Sequence, residues 1–153
     1  MTRVPFPALA LTVAGLIPFV VGAVISHGVT LGLPIEPYEG RWIVYFYGSI
    51  ILSFMGGVLW GFAAAQGRPT GVGPLALSVL PALWAFGTLL FAIYLEPSTL
   101  RASFYLMAVG FAVTLVLDWY VQSRGLSPRW WLSFRIPVTI VVIGCFLGTA
   151  TDV

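Results

Sequence analysis

Apolar positions along this chain fall in long unbroken runs, not in the alternation of half-buried strands. Five stretches lack Asp, Glu, Lys and Arg: Val4–Ile35, Trp42 to the residue before Arg68, Pro69–Leu95, Ala102–Leu117 and Ile136–Thr151. A helix of roughly 20 mostly apolar residues crosses the hydrocarbon of a bilayer. Runs without a period of two predict helices and not barrel strands. The pattern therefore predicts transmembrane helices at about 7–26, 42–65, 74–95, 101–122 and 135–151. Proline and glycine punctuate the gaps, as chain breakers do. His27–Arg41 holds Gly28, Gly32, Pro34, Pro37 and Gly40, Gln66–Gly73 reads QGRPTGVG, Glu96–Thr99 is a tight EPST hairpin, and Ser123–Phe134 reads SRGLSPRWWLSF. The fold expected is all-α: a polytopic integral membrane protein, a compact bundle of five transmembrane helices forming one domain over residues 1–153. No internal repeat is evident, and five helices do not divide into equal halves, which counts against a repeat-built transporter.

Composition sharpens this picture. Of 153 residues 59% are hydrophobic and 8% charged, and the mean hydropathy is +1.02. Soluble domains are about 25% charged, so no aqueous domain is expected beside the helices. A pI near 9.0 invites a nucleic-acid reading, but the formal charge is only +2 and the seven cations, all arginine, are scattered. A basic cluster that tracks phosphates is missing, and no nucleic-acid partner is expected. The arginines read instead as topology signals, with cations enriched on the cytoplasmic side. Arg3, Arg68, Arg124, Arg129 and Arg135 then lie inside, Arg41 and Arg101 outside, and Glu36, Glu39, Glu96 and Asp152 outside as well. This places the N-terminus in and the C-terminus out. Met-Thr-Arg before an apolar run resembles a signal sequence. The run is long for one and no small-x-small site follows it, so an uncleaved first helix is expected. Cys145, the single cysteine, cannot form an internal disulfide and reads as a packing residue.

Aromatic residues mark the same boundaries, because amphipathic rings favour the headgroup region. Trp42, Tyr45 and Tyr47 open the second helix, and Trp119 and Tyr120 close the fourth. Trp130, Trp131 and Phe134, between Arg129 and Arg135, place PRWWLSFR along the inner membrane surface as interface aromatics. The sharper alternative is a lipid- or partner-binding patch.

Few residues carry candidate chemistry. On the second helix Ser49, Ser53, Gly57, Gly61 and Ala65 stand four apart and are all small. Gly57-x-x-x-Gly61 is a small-xxx-small motif, which lets helix backbones approach closely. The row reads as a helix-packing seam against another helix of the chain, with Ser49 and Ser53 bonding across it. A seam against another subunit, or a pore lining, are the alternatives. Asp118 is the one carboxylate within a predicted helix, and buried ionisable groups in membranes are costly and often functional. With Arg124 and Arg135 close along the chain, it reads as an interfacial ion pair pinning the fourth helix to the fifth. Arg135 precedes Ile136-Pro137, where proline suits a first helical turn. His27, Glu36 and Glu39 match no metal-ligand spacing, and the two glutamates read as solvated loop charges. No Walker loop, HExxH or G-x-S-x-G motif occurs, and one histidine cannot supply bis-histidine haem ligation. No catalytic residue, metal or cofactor is expected.

Two segments carry a family resemblance. YGSIILSFMGGVLWGFA, Tyr47–Ala63, and LDWYVQSRGLSPRWWLSFRIPVTIVV, Leu117–Val142, resemble the domain-of-unknown-function 3429 family, which includes the mitochondrial transmembrane protein 69 and short proteobacterial membrane proteins. The second segment matches at Asp118, the Gly125–Pro128 turn, a tryptophan, and Arg135 with Pro137. Length and number of spans agree over most of the chain. Where many members carry a polar or basic residue before the Trp60-Gly61 pair, this chain has Leu59. The resemblance implies that the small-residue row and the Asp118/Arg135 pair are family features, and it implies no substrate.

The leading expectation is a non-catalytic inner-membrane protein acting by helix packing, an accessory or assembly subunit of a larger respiratory or photosynthetic membrane complex. Its partners are then the lipid bilayer and other membrane-protein subunits. One alternative is a small transporter or channel using Asp118 and the Ser49/Ser53/Gly57 face. Another is a lipid- or quinone-binding protein using Trp60, Trp84 and Trp130. An arginine-only chain rich in alanine and glycine suits a GC-rich bacterium, so the bacterial inner (cytoplasmic) membrane is expected before the mitochondrial one.

Overall fold

The computed structural model describes residues 4–65, 71–94 and 97–153, without the side chains of residues 97 and 98. The described residues form five α-helices and no strand: α1 Phe6–Ser26, α2 Pro37–Ala64, α3 Val72–Tyr94, α4 Pro97–Ser123 and α5 Trp131–Ala150. Each is long and apolar enough to cross a membrane, as the unbroken apolar runs predict. Arg3, Arg68 and Glu96, three of the charges behind the expected orientation, lie outside the described residues, as does Leu95, the expected end of the third helix.

Three helices start earlier than their apolar runs. α2 opens at Pro37, not near residue 42. Proline is tolerated at a first helical position, where its missing N–H would have no helical partner anyway. The Glu39 carboxylate accepts the Glu36 backbone N–H at 2.9 Å, the reciprocal half of a capping box. Glu36 and Glu39 are exposed, as their reading as solvated charges expects, but they start a helix and do not sit in an irregular loop. α4 likewise opens on a proline, Pro97. α5 opens at Trp131, so WLSFR belongs to the start of the helix and not to the loop before it. Its N-cap, Trp130, offers no side-chain acceptor, and Gln122 of α4 fills the role: its Oε1 accepts the Leu132 N–H at 3.0 Å. Pro137 consequently sits inside α5 and not in its first turn.

Glycine ends two helices by the same device. Gly125 has φ 68°, its N–H bonds to the Gln122 carbonyl, and the Leu126 N–H bonds to the Val121 carbonyl. That pair of bonds is a Schellman motif, which needs a left-handed residue. Gly28, at φ 80°, repeats the pattern after α1, with Val29 bonded to Val24.

The second helix is the hub: α2 touches α1, α3, α4 and α5. Its buried residues include Tyr45, Leu52 and Leu59, then Gly48 and Met55, then Gly56 and Ala63. Each set steps by seven residues, the spacing that keeps one stripe of a helix against its neighbours. Around it Phe19, Phe104, Phe111 and Phe146 form the centre of the bundle. Their rings meet at centroid distances between 5.7 and 6.2 Å, the offset and edge geometries that aromatic quadrupoles favour. Two hydrogen bonds tie α2 outward to other helices. The Tyr45 hydroxyl donates to the Thr88 carbonyl of α3 at 2.7 Å, and the Tyr47 hydroxyl to the Gly15 carbonyl of α1 at 3.0 Å.

Candidate functional site

Buried polar side chains gather where α4 ends and α5 begins. Trp131, Arg135 and Thr139 are four apart on α5, so they stack on one face, and that face meets Asp118. Asp118 is 1% exposed, Arg135 5% and Thr139 1%. Arg135 Nε donates to Asp118 Oδ2 at 3.0 Å, and Trp131 Nε1 donates to Asp118 Oδ1 at 2.6 Å. Both carboxylate oxygens are thus engaged. The guanidinium also lies over the Trp131 ring, 5.9 Å from its centroid, and Trp131 meets Phe62 of α2 edge-on at 5.1 Å. The result is a neutral, hydrogen-bonded triad joining α4 to α5. A buried pair persists only with good geometry and further hydrogen bonds, and the indole N–H supplies one.

Of the expected ion-pair residues, the structure brings Asp118 and Arg135 together and leaves Arg124 apart. Arg124 stacks instead over Tyr120, 5.1 Å from the ring centroid. Trp131 is the member that sequence reasoning missed. With α5 assumed to start near residue 135, Trp131 had no register relative to Arg135. The i, i+4 spacing of Trp131, Arg135 and Thr139 was the available signal.

The aromatics expected at the membrane interface are unlike one another. Trp119 is 59% exposed. Trp42 and Trp130 are half-buried, with Trp42 stacked on Phe46 at 5.2 Å. Trp131 turns its N–H inward. Of the other tryptophans, Trp60 is exposed, while Trp84 donates its indole N–H to the Leu106 carbonyl at 2.8 Å.

The expected small-residue seam needs correction. A Cβ built on Gly57 or Gly61 would meet nothing within 4 Å, and Ala65 is exposed, so among the described residues no helix lies against that end of the row. Ser49 and Ser53 do not bond across a contact. Each hydroxyl turns back to its own helix, to the Tyr45 and Ser49 carbonyls at 2.9 and 2.8 Å. The reason is geometric. Four residues turn an α-helix by about 40° more than one revolution, so five positions four apart spiral around the axis and cannot all face one neighbour. The close approaches lie at other glycines of α2: a Cβ on Gly56 would stand 2.5 Å from the Ser78 carbonyl oxygen of α3, and one on Gly40 2.8 Å from the Gly22 carbonyl oxygen of α1.

At the opposite end of the bundle His27 Nδ1 and Asp152 Oδ2 are 2.7 Å apart, and Ser26 donates to the same carboxylate oxygen at 3.3 Å. Arg101 Nε donates to the Val153 carbonyl oxygen at 2.9 Å. His27 is thus tied to the C-terminal segment and not to Glu36 or Glu39. Among the described residues no three His, Cys, Asp or Glu side chains come together as metal ligands.

Four apolar membrane-length helices around a fifth, the hub α2, locked by a buried polar triad, define a polytopic membrane protein. A family model described as protein of unknown function (DUF3429) matches residues 4–151, and the chain belongs to that family. It is 33% identical over 147 residues to transmembrane protein 69 of Xenopus tropicalis, covering 95% of this chain and 54% of that protein. To transmembrane protein 69 of Mus musculus it is 27% identical over 147 residues, covering 95% and 56%. The chain spans about half the length of these curated relatives. No solved structure matches it.

Proposed function

We propose that this protein is a non-catalytic membrane subunit that works by helix packing, an accessory or assembly factor for a larger respiratory or photosynthetic complex in a bacterial inner membrane. The observation that carries the reading is the unpartnered end of the α2 row. Gly57 and Gly61 stand one turn apart with open space where their Cβ atoms would be. Glycine pairs at that spacing let a second backbone approach closely, and helix association in lipid depends on such packing. The other face of α2 is already filled by the chain's own helices, so the open face is the one left for a different subunit. Both Asp118 oxygens are engaged, which favours a pinning role for that carboxylate over a transport path.

Affinity purification from native membranes in mild detergent tests the proposal. The protein is expected to migrate with other membrane subunits as a complex larger than its own mass. Migration as a lone monomer at every detergent condition that preserves known complexes would reject it.

A further inference from the structure

We infer that the cleft bounded by α1, α2 and α5 is a binding site for an apolar-tailed molecule whose head is an uncharged oxygen acceptor, a ketone or ester carbonyl. The cleft has a volume of about 540 Å³, within the range of roughly 300–1,000 Å³ typical of small-molecule sites. Its lining is almost wholly apolar: Leu16 and Phe19 from α1, Ile51 and Val58 from α2, Phe134 and Val138 from α5. Thr12, Tyr47, Arg135 and Thr139 break that lining, and the Tyr47 hydroxyl already donates to the Gly15 carbonyl. Arg135 and Thr139 both border the cleft, both are more than nine-tenths buried, and each has a polar atom without a partner: Arg135 Nη2 and Thr139 Oγ1. Buried donors are rarely left unpaired in native proteins, and an apolar cavity with a few convergent polar groups is the usual form of a ligand site.

Charge selects the head group. Arg135 is already neutralised by Asp118 at 3.0 Å, so the pair keeps Nη2 as a buried, unpaired donor without net positive charge. An anionic head would meet the Asp118 carboxylate behind the guanidinium, whereas a carbonyl oxygen accepts from both Nη2 and the Thr139 hydroxyl, one helical turn apart. Pro128 and Trp130 also border the cleft, beside the loop that joins α4 to α5, so a tail there runs inward towards Phe19, Phe111 and Val142. A short-chain ubiquinone and a phospholipid acyl ester share this chemistry, and the test separates them.

The full chain in nanodiscs would be titrated with decylubiquinone, reading the fluorescence of Trp130 and Trp131. In parallel, native mass spectrometry would follow retention of added dioleoylphosphatidylethanolamine. Thr139→Val keeps the shape and removes one donor, and Val58→Phe fills the cleft without touching the triad. Saturable quenching by decylubiquinone, weakened about tenfold by Thr139→Val and abolished by Val58→Phe, supports the site with a quinone head. Retention of the phospholipid by the unaltered protein, lost in Val58→Phe and reduced in Thr139→Val, supports it with an ester head. If neither probe is held, or if both variants hold them as the unaltered protein does, the site is overturned and the two donors are served by water alone.

Discussion

Asp118 accepts hydrogen bonds from two side chains one turn apart on α5, so losing it strands both donors at once. Removing one partner of a buried ion pair destabilises by about 3–5 kcal/mol, while replacing both with apolar residues is often neutral. Asp118→Ala is therefore expected to lower the unfolding free energy in mixed micelles by that amount, and the double variant Asp118→Leu, Arg135→Leu by less than the single change. A double variant worse than the single one would show that the triad does more than pin two helices. Asp118→Asn separates pinning from transport: a lower folding yield marks the pin, and normal yield with lost flux marks a path. The sequence made Asp118 and Arg135 legible as partners because charges are scarce in the helices. Trp131 was legible only through its i, i+4 spacing to Arg135, which counts once α5 is known to begin there. Gln122 was not legible, because its role is to accept from the start of a helix other than its own.

At the scale of the elements, apolar runs locate the membrane-length helices but understate their ends. Pro37 and Glu39 start α2 ahead of its apolar run, and hydropathy does not register capping. The choice of buried face was less accessible still. A small-residue row with four-residue spacing is visible in the sequence, yet the stripe that packs follows steps of seven through Tyr45, Leu52 and Leu59. Tyr45 is fully buried and donates to the Thr88 carbonyl, and interhelical hydrogen bonds in membranes contribute about 1 kcal/mol or less. Tyr45→Phe should accordingly cost about that much in a thermal or chemical unfolding series, with the α2–α3 contact retained. A loss several times larger would mean that the hydroxyl organises the whole contact.

For the molecule as a whole, fold class was readable from hydropathy because lipid leaves a spanning chain few alternatives to the helix. The cleft between α1, α2 and α5 was not, because it is assembled from residues far apart in sequence and signalled by no motif. Every helix keeps an exposed apolar face, but on α2 that face carries two glycines one turn apart, and we assign it to another subunit. Adjacent glycines give the most direct measurement: Gly56→Leu and Gly57→Leu, each assayed for thermal stability in detergent and for co-purifying membrane subunits. Gly56→Leu collides with the α3 backbone and should cost roughly 1–3 kcal/mol or more. Gly57→Leu should leave the melting temperature of the isolated protein unchanged and strip its partners. Gly57→Leu that unfolds the isolated protein, or that keeps every partner bound, would contradict the account.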